Sequence, residues 1–288
     1  MDGAMTAVPA GYAPARAESQ AAARVVAWWF APQPVRRVAV LRAVVYAFVV
    51  FDMFMLVNDV VPHGYASADL YRPILIPRLL GLPAPTPAYV ETLRVVLVVA
   101  AVTAATGRLP RAAGWVVAVA YLDWVFLGFS YGKVDHDHLA LVVALFVLPL
   151  AGRARGEGSS EAAAWTLRCI QVAAVATYFL SAYAKIRHGG WGWPNSATFA
   201  WALSRRGTWL GDQLLGYPRL LVASQWGLLV MEFLTPLILF VRGRALACGL
   251  ALLVAFHAMT YAAIEIHFLP TVVCLLAFVP LERVRRRA

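Results

Sequence analysis

Charged residues are scarce in this chain. Asp, Glu, Lys and Arg make up 14% of its 288 residues, and lysine occurs only at Lys133 and Lys185. Soluble domains carry about 25% charged residues, so an ordinary soluble globular protein is excluded. The hydrophobic share is 61%, and the mean hydropathy is +0.69. The few charges fall between long apolar runs, which is the pattern of a polytopic integral membrane protein. Cysteine is equally sparse. Cys169, Cys248 and Cys274 all lie inside apolar runs, so neither a disulfide framework nor a cysteine metal site is visible. The chain also has no phosphate-cradling glycine loop, no nucleophile elbow and no His-Glu-x-x-His helix.

What is present is arginine, hydrophobic length and aromatic rings. The net charge is +10. Most arginines sit at the ends of apolar runs, where they set orientation, so the basic balance does not point to nucleic acid. Residues 1–27 are Ala-, Gly- and Pro-rich at the start and read as a disordered tail, not a signal peptide, with Trp28-Trp29-Phe30 as an interfacial foot. The transmembrane bundle is expected over 28–282, followed by a basic tail over 283–288. The apolar runs predict about eight transmembrane helices, near 36–58, 90–106, 111–130, 139–151, 163–186, 220–241, 244–264 and 268–281. The fold class is therefore all-α, a membrane helical bundle. Arg36, Arg37, Arg108, Arg111, Arg153, Arg155, Arg242, Arg244 and the terminal arginines fall on one side, which the positive-inside rule makes cytoplasmic, together with both termini. The expected location is a bacterial cell (inner) membrane.

That orientation puts all six histidines in the outer loops or the outer half of a span, with Asp59, Asp69, Asp123, Asp135, Asp137, Lys185 and Glu265. Ionisable groups inside a membrane are expensive and usually functional, so one outward-facing cavity is expected to collect them. The central stretch is 171–201. Gln171, Tyr178 and Lys185 are spaced by seven and drift only about 20° per step, forming one polar stripe with Ser181 beside it. A stripe ending in an amine should face protein or a wet cavity; the plainer alternative is that Lys185 snorkels to the headgroups. Trp191, Trp193 and Trp201 crowd the mouth beyond it, as substrate lining or as interfacial belt.

Other candidates are dispersed. Asp135-His136-Asp137-His138 has metal-ligating residue types, but adjacent residues point apart, so no metal site is expected. It reads as a helix cap, or as a carboxylic acid kept protonated by burial. Glu232 lies on a stripe with Gln225 inside the sixth span and needs a partner, either Arg42 if depths match or a group from the fifth or seventh span. His257 and Tyr261 are one turn apart. Asp123, with Tyr121 and Trp124, interrupts the third span, and Tyr131 follows it.

The order of these pieces resembles the HTTM (horizontally transferred transmembrane) domain, the membrane domain of vitamin K-dependent gamma-carboxylase and its bacterial relatives. The matching pieces are the Arg42…Asp52 span, the His-containing entry to the short fourth span, Tyr178-Phe-Leu-Ser-Ala-Tyr-Ala-Lys185-Ile followed by Trp191-Gly, Met231-Glu232-Phe-Leu-Thr-Pro236 and the His257 span. The resemblance covers about 36–281. In that family the lysine matching Lys185 deprotonates reduced vitamin K; oxygenation then yields a strong base that takes a proton from glutamate, and CO₂ adds. The animal enzyme has paired lysines where this chain has Ala184-Lys185, and the spacing to Trp191 is one residue longer here.

The resemblance implies a lyase of the carboxylase/epoxidase type with a reduced, vitamin K-like quinone as cofactor. Because one bundle accounts for most of the length, the expected partner is a quinone or other isoprenoid lipid in the membrane. Lys185, Asp135, Asp137, His138, Glu232 and His257 are the expected catalytic residues. Asp123, Tyr131, Tyr178, Tyr183, Trp191, Trp193 and Tyr261 are expected around the substrate. Two alternatives remain open: a terpene cyclase, in which a buried acid starts a carbocation and aromatic faces stabilise it, and a non-catalytic carrier or assembly subunit whose polar stripe is structural.

Overall fold

A computed structural model describes residues 13–56, 60–132, 134–153 and 157–283. Asn58, Asp59, Lys133, Arg155, the terminal arginines after Arg283 and the first twelve residues lie outside this set. The chain is all-helical apart from one two-residue antiparallel pairing, β1 (Gln33–Pro34) with β2 (Ser159–Ser160). Helix α1 (Ala13–Phe30) runs through part of the stretch expected to be unstructured and packs on α8 (Glu161–Gly189). Trp28 anchors it: the Arg168 guanidinium stacks over the Trp28 ring at 4.5 Å and donates through Nε to the Trp28 carbonyl at 3.1 Å.

Among the described residues six helices are long and apolar enough to cross a membrane: α2 (Val35–Met55), α5 (Pro87–Ala105), α6 (Ala112–Phe129), α8, α11 (Pro218–Leu234, continued to Leu239) and α12 (Gly243–Ile264). Of the eight expected spans, the fourth and eighth are short. Helix α7 (His138–Val147) runs on as a 3₁₀ turn to Ala151, and α13 (Leu269–Cys274) runs on to Phe278. At 1.5 Å per residue these reach about 21 Å and 15 Å, against a hydrocarbon core of about 30 Å. They pack on each other inside the bundle, with Leu141, Ala144, Leu145, Cys274 and Ala277 buried. Pro149 ends the α-helical part of α7, because proline offers no N–H and its ring collides with the preceding turn.

Local chemistry sets the ends of the long helices. Thr86 accepts from the Tyr89 N–H at 3.3 Å and Pro87 occupies the first turn of α5, while Ser160 accepts from the Ala163 N–H at 3.0 Å to start α8. Helix α8 stops at Gly190, whose φ of 67° is left-handed and favours glycine. The buried residues of α2, Val38, Leu41, Arg42, Val45, Tyr46, Val49, Asp52 and Met53, recur at three- and four-residue steps. Its other face, with Val44, Phe51, Phe54 and Met55, is exposed and equally apolar, as a lipid-facing surface requires. Small residues let helices approach. An added Cβ at Gly114 of α6 would stand 2.6 Å from Tyr46 Oη and 2.8 Å from Pro149 Cγ, so this contact of three segments excludes any larger side chain.

The loops between these helices hold the short α3 (Val60–His63) and α4 (Leu75–Leu79) on one side of the chain order, and α9 (Thr198–Arg206) and α10 (Trp209–Leu215) on the other. Arginines gather at one end of the bundle. Arg42 donates to the Gly152 carbonyl at 2.8 Å, and Arg37 forms two 2.7 Å bonds to Glu282. The Arg37 guanidinium holds the Glu282 carboxyl below its ordinary range.

Candidate functional site

The stripe on α8 faces protein along its whole length. Gln171 donates to the Ala277 carbonyl at 2.8 Å, Tyr178 Oη lies 2.6 Å from His257 Nε2 of α12, and Lys185 Nζ donates to both carboxylate oxygens of Glu232 at 2.8 and 2.7 Å. Ser181, one turn back, accepts from Nζ at 2.7 Å. The partner of Glu232 is thus the fifth expected span, and Arg42 is engaged elsewhere. The Lys185 side chain is 20% exposed and that of Glu232 5%, so the ion pair sits at a wall, not in open solvent. Trp193 places its ring 5.5 Å from Nζ.

These groups border a cavity of about 1100 Å³ between α7, α8, α11, α12 and the α9–α10 cap. Its lining is almost wholly apolar and aromatic, with Phe199, Phe256, Phe268, Leu203, Leu221 and Met231 among the walls. The hydrogen-bonding side chains are few: His136, Thr177, Tyr178, Ser181, Lys185, Ser224, Glu232 and Thr260. Leu220, Leu252 and Met259 line it and are also exposed, so the cavity opens on the flank of the bundle. An elongated apolar molecule can enter there and bring one polar end to the Lys185–Glu232 pair.

The cap is held by a residue that the sequence had offered only as part of a stripe. Gln225 of α11 is 1% exposed; its Oε1 accepts from the Phe199 N–H at 2.8 Å, and its Nε2 donates to the carbonyls of Pro194 and Ser196 at 2.8 and 2.9 Å. One amide thereby satisfies three backbone groups of the 193–199 segment. Thr208 adds a second tie, donating to the Ala263 carbonyl at 2.6 Å. Gln225→Ala strands those backbone groups, and the expected result is a cap loosened by about 1–3 kcal/mol. Hydrogen exchange over 193–206 reads it; unchanged protection there rejects the assignment.

The remaining expected site residues do not join this cavity, and the single outward cavity expected to gather the ionisable groups resolves into separate clusters. Asp137 and His138 belong to a buried network with Asp52: His138 Nε2 is 3.4 Å from Asp52 Oδ1, His138 Nδ1 is 3.2 Å from Asp137 Oδ1, and Tyr121 donates to Asp52 Oδ2 at 2.6 Å. Thr271 of α13 donates to the Asp137 carbonyl at 2.9 Å. His257 instead pairs with Tyr178 and packs its ring against Phe256 and Phe268. Asp135 does not line the cavity, whereas His136 does.

Asp123 accepts from the Tyr89 hydroxyl between α5 and α6. Tyr131 stacks on His63 at 4.1 Å and lies near Tyr71 in the loop layer, where burial pushes both phenols up. Tyr183, Trp191, Trp201 and Tyr261 are all more than half exposed and are not cavity lining, so of the expected aromatic mouth only Trp193 reaches the lysine. Among the described residues no three His, Cys, Asp or Glu side chains are placed to hold a metal ion.

Comparison with protein-family models, with curated proteins and with solved structures gave no match for this chain.

Proposed function

We propose that this chain is an integral membrane enzyme of the carboxylase-like family acting on a quinone or other isoprenoid lipid, with Lys185 and Glu232 as its proton-handling pair. The observation that carries this reading is the placement of one ion pair on the wall of a large apolar cavity that opens on the flank of the bundle. A lipid substrate supplies an apolar body for the cavity and one polar group for the pair. A carrier needs the cavity but has no evident use for a costly lysine–carboxylate pair inside it.

The chemical step proposed is deprotonation of a substrate hydroxyl. In the arrangement where the shared proton sits on Glu232, Lys185 presents an amine lone pair. The substrate O–H bond breaks, its electron pair stays on oxygen, and Nζ becomes an ammonium beside the new oxyanion. The Trp193 ring face and Ser181 steady that ammonium. The resemblance supplies the reduced, vitamin K-like quinone as the molecule whose hydroxyl is placed there; Tyr178, backed by His257, would orient it.

The test is to extract and identify the lipid that purifies with the protein. An isoprenoid quinone or polyprenyl compound in stoichiometric amount is expected, and its loss in Ala184→Trp, which fills the cavity beside Lys185. Retention of the same lipid by that variant, or phospholipid alone in the wild type, refutes the proposal.

The proposed topology places both ends of the chain on the cytoplasmic side of a bacterial inner membrane, with α7 and α13 counted as short spans to give eight. The arginines of the Arg37, Arg42 and Arg168 end support it through the positive-inside rule. In a Cys248→Ser background, which removes the exposed native thiol, Ser67→Cys and Asn195→Cys are expected to label from outside the cell. Labelling from the cytoplasm only would reverse the orientation.

A further inference from the structure

A second cavity, of about 330 Å³, lies at the arginine-rich end between α2, α8, the start of α12 and the 3₁₀ turn after α13. Three guanidinium groups border it, Arg37, Arg168 and Arg242, with Gln33 and Gln171. Glu282, bound to Arg37 through two bonds, is the carboxylate beside this group, so two of the three cations are left without a carboxylate among the described residues. Arg168 uses Nε on the Trp28 carbonyl and Nη1 on Gln171 Oε1, and its ring-stacked plane is fixed by Trp28; its Nη2 has no partner among the described residues. Arg242 is exposed, its guanidinium has no partner among them, and it stands at the N-cap of α12, where the helix end adds further positive potential. The opposite wall is apolar, with Ile238, Val241 and Leu246.

Like charges brought to one cavity repel; Glu282 balances Arg37, whereas Arg168 is held by Trp28 and Gln171 and not by a carboxylate. An anion with several acceptor oxygens offsets that repulsion and uses the guanidinium donors in the forked geometry suited to them. We infer that this cavity binds a phosphoryl group, with the apolar wall taking the adjoining carbon chain when the phosphate is that of an anionic lipid headgroup. The size is at the lower end of the ~300–1,000 Å³ range of small-ligand sites. The site is distinct from the Lys185–Glu232 cavity, shares no lining residue with it and does not depend on the function proposed there.

The test uses the full chain purified in a neutral detergent, with phosphatidylglycerol, phosphatidylcholine and inorganic phosphate as probes at matched ionic strength. Native mass spectrometry counts retained lipid and thermal unfolding reads stabilisation. Phosphatidylglycerol is expected to bind and raise the midpoint where phosphatidylcholine does not. Arg242→Gln is expected to weaken that binding about fivefold, the ~1 kcal/mol per basic residue typical of anionic headgroups. Arg168→Gln should weaken it at least as much. Should Arg168→Gln fail to fold, because it also loses the Trp28 stack, Arg242→Gln decides alone. Arg108→Gln, at the same end but away from the cavity, controls for bulk charge. Inorganic phosphate that competes with the lipid assigns the site to soluble phosphate as well; phosphate that binds where lipid does not assigns it to soluble phosphate only. Equal binding of the two lipids, no binding of any anion, or an equal loss in Arg108→Gln overturns the inference.

Discussion

Lys185→Arg is expected to leave a folded protein and to lower turnover by about 10²–10⁴-fold, the usual contribution of a positioned proton-transfer group. Arginine keeps the positive charge and can grip both Glu232 oxygens, so the ion pair and the cavity wall survive. It cannot serve as a base, because the guanidinium stays protonated. The substrate for the assay is an isoprenoid naphthoquinol, its consumption followed by chromatography, with the unfolding midpoint recorded alongside. Lys185→Ala is the weaker test. It leaves Glu232, 5% exposed at its side chain, without its cation, and so loses part of the ~3–5 kcal/mol that follows from breaking a buried pair. Activity lost there is confounded with stability lost. Near-wild-type turnover in the Arg variant removes Lys185 as the base. The cyclase alternative then takes the same cavity, but with Glu232 as its acid, since Asp135 and Asp137 are not among the lining residues. Glu232→Gln abolishing cyclisation of a polyprenyl diphosphate would establish that case.

Asp52→Ala is expected to be the most damaging single change to the fold, costing about 3–5 kcal/mol. Asp52 is fully buried; one oxygen accepts from Tyr121 of α6 and the other stands 3.4 Å from His138 Nε2 of α7. Removing it strands the Tyr121 hydroxyl inside the helix bundle and takes one of two carboxylates from the His138 ring, which keeps Asp137. The double variant Asp52→Leu/Tyr121→Phe should recover part of the loss, because it removes the stranded hydroxyl together with the carboxylate and leaves His138 its contact with Asp137. A double-mutant cycle by equilibrium unfolding in mixed micelles measures the coupling, and more than about 1 kcal/mol is expected. Additive losses, or an Asp52→Ala cost below about 1 kcal/mol, would show that the network does not hold the bundle. This network also changes the place of His138. The sequence offered it as catalytic; in the structure it is 2% exposed, sits between two carboxylates and is not part of the cavity lining.

The all-helical class and the long apolar helices were legible in composition and in the apolar runs, because apolar length and scarce charge are local properties of the chain. So was the shared face of Gln171, Tyr178 and Lys185, because seven-residue spacing sets a helix face before any neighbour is known; that Lys185 turns to Glu232 and not to the headgroups was decided by the structure. The sequence also required Glu232 to have a partner inside the span, since an unpaired carboxylate there is too costly. Which partner it has was decided only by tertiary structure, where α11 brings Glu232 to Lys185, and α2 carries Arg42 to the Gly152 carbonyl at the arginine-rich end. The same holds for Asp135-His136-Asp137-His138. Four adjacent polar residues look equivalent in one dimension, but the turn into α7 sends His138 and Asp137 into the bundle and leaves His136 on the cavity wall. Trp191, Trp193 and Trp201 divide in the same way: one ring reaches the lysine and two are exposed, because the α9–α10 cap folds back on Gln225. Spacing along a helix determines direction around its own axis. Depth and the neighbour met there depend on how far each helix slides and tilts against the next, and that is set by packing contacts distant in the chain, such as those at Gly114.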